Sequence, residues 1–460
     1  MKIFHKGKLV SSYGKGKKME GRTRKYNGIL IAKYKFDKSI YDNLIPEFNA
    51  EFTDYKIMDE YLDTENIVTR YIYSNESPTL MRFGGSSDRC HSLINVMKVD
   101  TSSLTTMNQM FTNCLNMTVC NTKGWNTSKV IDMSYMFQNC RSLITLDVSN
   151  FNVDTVTDLN HMFENCYNLS SLNLTNWNVS EVTNMNAIFN NCYLLTTVGD
   201  ISNWNVNKVT DMAYMFNQCR VINGLNVSKW NISKVASLAN MFYNCTSLTE
   251  LDLTNWDFGN VTNMDNTFNI CTVLETVGDS SNWNLSNVNS MICTFRYCHK
   301  LKELNVRNWN MSNCTTFGTL FYKCYELKEL DTRLWNTSKV TSTDFMFGGN
   351  NFTELDLSNF SMNLVKNIRS MFNTMPNLET LNISNWHLDS VTNKNTVFNG
   401  TTKLKTIYLN NSDANTINLI ISILLSRSAS DPGVIYIAGV NDISQVNIGA
   451  AQAKYWNIIN

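Results

Sequence analysis

Cysteine recurs at Cys114, Cys140, Cys166, Cys192, Cys219, Cys245, Cys271, Cys298 and Cys324, at intervals of 26 or 27 residues throughout. An aromatic series keeps the same step at Trp125, Phe151, Trp177, Trp204, Trp230, Trp256, Trp283, Trp309, Trp335, Phe360 and Trp386. Self-similarity at this period restricts the chain to architectures in which one small unit stacks on the next. A third series, from Phe111 to Phe398, counts about twelve units.

One unit can be read from Leu169 to Leu195. Leu169, Leu172 and Leu174 give L-x-x-L-x-L, so Leu172 and Leu174 form one face of a short strand and Asn173 the other. After Trp177, Val179 and Val182 are placed to bury, and Thr183 to cap the turn that follows. Met185, Ile188, Phe189 and Cys192 then fall at i, i+3, i+4 and i+7, which predicts a helix of about two turns. Neither element is stable alone, so each unit depends on its neighbours.

The pattern resembles a leucine-rich repeat in which Trp or Phe stands at the inward asparagine position. That variant, W-N-[VT]-S-x-V-T-x-M-x-x-M-F-x-x-C, is similar to the BspA-type leucine-rich repeat of bacterial surface proteins, over about residues 90 to 412. The resemblance implies a non-catalytic scaffold in a surface setting. The expected fold is α/β: a leucine-rich-repeat-like solenoid of about twelve coils with a parallel β-sheet, a small N-terminal β-rich domain and a C-terminal α/β cap.

Outside the repeat the texture changes. Residues 1–25 carry nine Lys or Arg against Glu20 alone and read as a basic arm, solvated or packed on a partner. Residues 26–85 alternate as short strands and read as a small β-rich domain that caps the solenoid or attaches it to a larger body. The solenoid spans 86–412, with an imperfect first coil starting at Cys90, and residues 413–460 form the cap. The cap is expected to hold a helix around Ile417–Ser426, a strand at Gly433–Gly439 and a second helix ending A-A-Q-A-K-Y-W. Two coils have an extra residue at Val198-Gly199-Asp200 and Val277-Gly278-Asp279, which predicts a bulge beside each glycine. Asn350, Met375 and Thr401 take the cysteine position in the last coils.

Thirty-nine basic residues balance 39 acidic ones, which argues against a general polyanion binder, and nucleic acid is not an expected partner. The first residues lack the apolar core of a secretory signal, and no apolar run approaches the roughly 20 residues of a membrane span. Nine of the 13 cysteines share one inward position, which reads as a buried thiol ladder; with no C-x-x-C and scattered histidines, no metal site and no cofactor are expected. The Trp series reads as a core spine and the chain as non-enzymatic, with no catalytic residues.

What repeats on the outside is carboxylate. Glu250, Asp252, Glu303, Glu329, Asp331, Glu354 and Asp356 occupy outward strand positions, with Lys302 and Lys328 interleaved. Glu303, Glu329 and Glu354 are expected in one column, and Asp331 and Asp356 in the next. An array of like groups suits a recognition surface, whereas an active site needs a singular constellation. The expected function is recognition or adhesion, with a host or cell-surface protein or glycan as partner. The setting expected first is the virion of a tailed bacteriophage, as a fibre or host-attachment protein held to other virion proteins by its N-terminal region. The alternatives are a bacterial cell-surface adhesin or a structural virion decoration protein, and homo-oligomers are compatible with each.

Overall fold

Leu172 and Leu174 are buried and Asn173 between them is exposed, so the strand alternation written in the repeat is the one the chain adopts. The computed structural model describes residues 2–5, 8–12, 29–41, 43–61, 66–84, 88–440 and 442–460. They divide into two units, Met1–Leu225 and Asn226–Asn460.

The first unit begins with β1 (Lys2–His5), β2 (Lys8–Ser12), β3 (Ile29–Asp37), β4 (Glu47–Phe48), β5 (Tyr55–Tyr61), β6 (Ile67–Ser74), β7 (Met81–Arg82) and β8 (Leu93–Val99). Strands β1 and β2 pair with each other, so part of the expected basic arm is sheet; residues 13–25 of that arm lie outside the described residues. The main sheet has the order β2-β1-β5-β6-β3-β8-β9, where β9 is Val119–Cys120 of the first coil. All its pairs are antiparallel except β8 with β9, which is parallel, so the sheet passes directly into the solenoid. Within it, buried Arg70 donates from Nε and Nη2 to the two oxygens of Asp59, each at 2.7 Å, and from Nη1 to Leu44 O. A buried charge this fully bonded is tolerated. Phe83 stacks on Phe111 with centroids 5.5 Å apart, becoming the first ring of the solenoid core.

The expected short helices are absent. Met133–Cys140 forms two successive turns, closed by Met136 N donating to Met133 O and Cys140 N to Phe137 O, with Tyr135 and Asn139 at φ +58° and +60°. Positive φ at the third residue of each turn is the type II pattern. Two such turns place Met133, Met136, Phe137 and Cys140 on one side as a helix would, but they leave every second amide free to reach the next coil. Met133, Tyr135, Phe137 and Asn139 donate to the carbonyls of Asp158, Asn160, Met162 and Glu164 at 2.8–3.1 Å. A helix would have spent those donors internally. Thr183, expected as a helix cap, instead donates from Oγ1 to Thr157 O of the preceding coil at 3.1 Å.

The left-handed turn position is commonly asparagine, the residue that enters this conformation most readily after glycine. Asn139, Asn165 and Asn191 donate in succession from Nδ2 to the Oδ1 of Asn113, Asn139 and Asn165, at 2.6–2.8 Å.

Core ladders run through each unit. In the first, Phe111, Phe137, Phe163 and Phe189 stack at 5.4–5.8 Å, and in the second Trp283, Trp309, Trp335 and Phe360 at 5.4–6.0 Å. Most indoles donate back one coil, as Trp177 does to Val148 O (3.0 Å) and Trp256 to Val227 O (3.0 Å). The ladder thiols do the same: Cys192 Sγ lies 3.1 Å from Phe163 O and Cys298 Sγ 3.1 Å from Phe268 O. All thirteen cysteines are free thiols, and burial pushes Cys166 and Cys271 up to about 12.

The extra residues of the two longer coils sit at Gly199 and Gly278, with φ +80° and +78°. A Cβ on Gly278 would lie 2.6 Å from Asp252 Oδ1 and Thr254 Oγ1, so another residue would have to displace those side chains and would sit at a strained φ. The indole of the same coil also departs from the pattern: Trp283 Nε1 is buried without a partner.

The second unit ends in a regular parallel sheet, β10 (Glu354–Asp356), β11 (Thr380–Asn382), β12 (Thr406–Tyr408), β13 (Gly433–Tyr436) and β14 (Trp456–Ile459), in that order. Among the described residues α-helix occurs only at α1 (Ala414–Ile423) and α2 (Ile448–Gln452). Asp413 caps α1 by accepting from Thr416 N at 2.7 Å. Trp456, expected at the end of a helix, begins β14 instead and donates from Nε1 to Leu425 O.

Candidate recognition face

The outward side chains of the strand segments in the second unit divide by position. Glu250, Asp252, Glu303, Glu329, Glu354 and Asp356 are exposed and Asp331 is half-buried. Glu303, Glu329, Asp331, Glu354 and Asp356 line one groove of about 1330 Å³, together with Lys302, Lys328, Arg333 and, at its far end, Tyr408 and Asn410. Glu250 and Asp252 are not part of it.

The aspartates have a second job that explains their recurrence. Asp252, Asp331 and Asp356 accept through Oδ1 from the amides of Thr254, Arg333 and Ser358 at 3.0–3.2 Å. Asp147, which does not line this groove, makes the same turn with Ser149 at 3.0 Å in the first unit. An Asx turn at this corner needs Asp or Asn whatever the surface does. Asp331 is further held by the Arg333 guanidinium, which pulls its carboxyl down to about 2.

The glutamates have no such job. The carboxylates of Glu303, Glu329 and Glu354 form no hydrogen bond or ion pair among the described residues. Lys302 does not relieve them, because its Nζ lies 2.5 Å from Glu275 of the preceding coil. Lys300 pairs likewise with Glu326 and Lys405 with Glu379. The unpaired carboxylates repeat at the coil step and outnumber Lys328, the lysine of the groove that has no ion pair among the described residues.

The backbone beneath them is also open. Leu251 and Leu253 donate to Thr276 O and Val277 O at 3.1 and 3.0 Å, and Glu354–Asp356 pairs with Thr380–Asn382. Between those two places, residues 303–306 and 329–332 make no backbone hydrogen bond to another coil among the described residues. Lys302 N to Glu275 O and Glu326 N to His299 O hold the coils together just before the gap. The groove therefore offers unpaired amides and a few unpaired carbonyls on its floor, since those of Asn305, Val306 and Thr332 are taken by Ser280, Trp335 and Asn359, and unpaired carboxylates on its rim. The sequence marked the rim; the open floor has no signature in it, because L-x-x-L-x-L is kept throughout.

Among the described residues no cluster of three His, Cys, Asp or Glu side chains is arranged to hold a metal, and no helix is long and apolar enough to cross a membrane.

Comparisons with known proteins follow the repeat. No curated protein matches the chain. Among solved structures, the functional domain of InlJ from Listeria monocytogenes, described as including a cysteine ladder, is 16% identical over 76% of this chain and 75% of its own, with a TM-score of 0.22. A leucine-rich-repeat protein of Leptospira interrogans is 14% identical over 80% and 96%, with a TM-score of 0.21. The LRIM1/APL1C complex is 13% identical over 76% and 60%, at 0.22. Likeness this slight carries no argument about what the chain binds. The family model described as "Mycoplasma protein of unknown function, DUF285" matches four overlapping stretches, residues 83–193, 165–277, 249–360 and 344–420. These stretches cover the repeat from its first coil to its last, and the chain belongs to that family.

Proposed function

We propose that the protein is a non-enzymatic recognition protein, and that the groove on the strand face of its second unit binds a polypeptide segment carrying Lys or Arg. The observation that carries this reading is the pairing of an open backbone floor with the unpaired carboxylates of Glu303, Glu329 and Glu354. An extended segment laid in the groove would bond to the amides and carbonyls, and cationic side chains would meet the rim.

In its finer form, the reading makes the protein a BspA-type surface adhesin. A tailed-phage virion, with the N-terminal sheet as its attachment point, is the alternative.

The test is an array of extended peptides of graded Lys and Arg content, probed with the full chain and with a variant carrying Glu303→Gln, Glu329→Gln and Glu354→Gln. Cationic peptides should bind the wild type, and the variant should lose about tenfold in affinity with its melting temperature preserved. Equal binding by both proteins, or no preference for cationic peptides, would remove the groove from the function.

A further inference from the structure

The outward strand face of the second unit changes character along the stack. Register carries one outward column from Asp356 through Asn382, Tyr408 and Tyr436 to Ile459, and its neighbour from Glu354 through Thr380, Thr406 and Val434 to Asn457. Both columns are acidic at β10, and from β11 onward neither holds a charge. Tyr408 ends the groove, and Tyr436 continues its column one coil further on, stacked against it with centroids 4.8 Å and planes 13° apart. Val434 and both tyrosines are half-buried, and Ile459 is 44% exposed. Beside the columns, Lys405 and Glu379 neutralise each other at 2.8 Å.

The turn does not ask for these tyrosines. Asp356 and Asn382 each accept through Oδ1 from the amide two residues on, that of Ser358 at 3.0 Å and of Ser384 at 3.2 Å, a bond that tyrosine cannot make. The backbone differs as well. Leu357, Ile383, Leu409 and Ile437 donate in succession to the carbonyls of Asn382, Tyr408, Tyr436 and Ile459 at 2.8–2.9 Å, so the floor left open beneath Glu303 and Glu329 is closed here. An occupant that reaches this end of the face can be held there by side chains alone.

Resting on the reading of the groove as a peptide site, we propose that its occupant also carries a bulky apolar side chain, and that Tyr408, Tyr436, Val434 and Ile459 form the seat for it. Two features select that chemistry. Each tyrosine covers a face of the other, so the pair presents ring edges, which meet the face of a third ring or an aliphatic branch and deny a sugar ring the open aromatic face it stacks on. Val434 and Ile459 add aliphatic surface beside the rings, and no charge in either column recruits a polar group. The spacing follows from the register. Glu354 stands two strands and two residues from Tyr408, roughly 12 Å, and three strands and two residues from Tyr436, roughly 16 Å. An extended segment covers that span in about four or five residues. The partner is thus a segment with Lys or Arg at one point and a residue such as Trp or Leu at that interval from it.

Peptides with a fixed block of Lys and Arg, and with a single Trp, Leu or Ala scanned along either flank, test the seat on the full chain. They are titrated against the wild type, the triple glutamate variant of the groove and a variant carrying Tyr408→Thr and Tyr436→Thr. On the wild type, Trp or Leu about four or five residues from the block, on one flank only, should bind about tenfold more tightly than Ala at the same place. The tyrosine variant should lose that gain and keep the preference for cationic over neutral peptides; the glutamate variant should do the reverse. A cationic preference with no dependence on the position of Trp or Leu, or a Trp gain undiminished in the tyrosine variant, would overturn the seat and leave the groove reading standing. Loss of cationic preference in every protein would overturn both. Cellohexaose bound by the wild type and not by the tyrosine variant would assign the rings to sugar and also overturn the seat. The positional scan is read on the wild type alone, so it decides the matter should the tyrosine variant fail to fold.

Discussion

Asn350 donates from Nδ2 to Phe321 O at 2.9 Å, the bond that Cys324 makes from Sγ to Phe295 O at 3.0 Å. Thr401 makes it from Oγ1 to Phe372 O. Outside the coil of Met375, the cysteine position of this repeat thus holds a small hydrogen-bond donor as well as a buried residue. Replacing Cys298 by Val and by Thr, which share a shape, separates the two demands. Cys298→Thr is expected to melt higher than Cys298→Val by an amount equivalent to about 1 kcal/mol, since only Thr can bond to Phe268 O. Equal melting temperatures would mean that the bond contributes nothing.

Thiol chemistry gives an independent check. Burial raises the ladder thiols well above the ordinary range, Cys166 and Cys271 to about 12. A thiol of raised folded pKa contributes stability that is present in full below its unfolded value and is lost as pH rises towards the folded one. Stability should therefore be flat near neutrality and fall progressively from about pH 9. In thiol titration without denaturant Cys293, which is half-buried, should react first and the ladder not at all. Rapid labelling of Cys166 or Cys271 would place them at the surface.

Ile270 is held at φ +64°, where a β-branched side chain is strained. The equivalent residue is asparagine in five other coils, at Asn113, Asn139, Asn165, Asn191 and Asn244. Ile270→Asn is expected to raise stability by about 1 kcal/mol, measured by thermal or chemical melting. A lower melting temperature would show that the packing of the half-buried isoleucine outweighs its backbone strain.

Trp256 is 3% exposed, stacks on Trp230 at 6.4 Å and donates to Val227 O. Trp256→Ala should cost about 3–5 kcal/mol and Trp256→Phe, which keeps most of the stack but not the N–H, clearly less. Similar losses in both would indicate that the hydrogen bond, and not the ring, holds the position.

The glutamate column makes a prediction about stability as well as binding. Glu303, Glu329 and Glu354 repel one another in the free protein, so converting all three to Gln should raise the melting temperature slightly at low salt. The gain should vanish in high salt. A gain that survives salt would trace to something other than charge.

The sequence displayed the coil and its interior plainly, because Trp177, Phe189 and Cys192 each return at one step and only a stack returns them to one place. It misled at the second wall. Met133, Met136, Phe137 and Cys140 have the spacing of a helical stripe, and two consecutive type II turns reproduce that spacing. The distinguishing signal was present in Asn113, Asn139, Asn165, Asn191 and Asn244, each directly before the cysteine, since a left-handed turn residue explains their repetition and a helix does not. At the surface, the sequence placed Glu303, Glu329 and Glu354 together. It did not separate them from Asp252, Asp331 and Asp356, whose recurrence belongs to the Asx turns. Nor could it tell that Lys302 turns to Glu275, because a side chain's choice of partner depends on which of two adjacent coils lies closer.

Within either unit, most bonds between coils join a residue to one fixed position of the adjacent coil, through backbone, indole, thiol or asparagine side chain alike. The gene can thus lose or duplicate a whole coil by recombination between its own repeats, and every donor will find the same acceptor waiting. A single inserted codon has no such neutrality and is admitted only where a glycine such as Gly199 or Gly278 absorbs it. Gain or loss of a whole coil would therefore extend or shorten the surface the protein shows while leaving the interior chemistry in place.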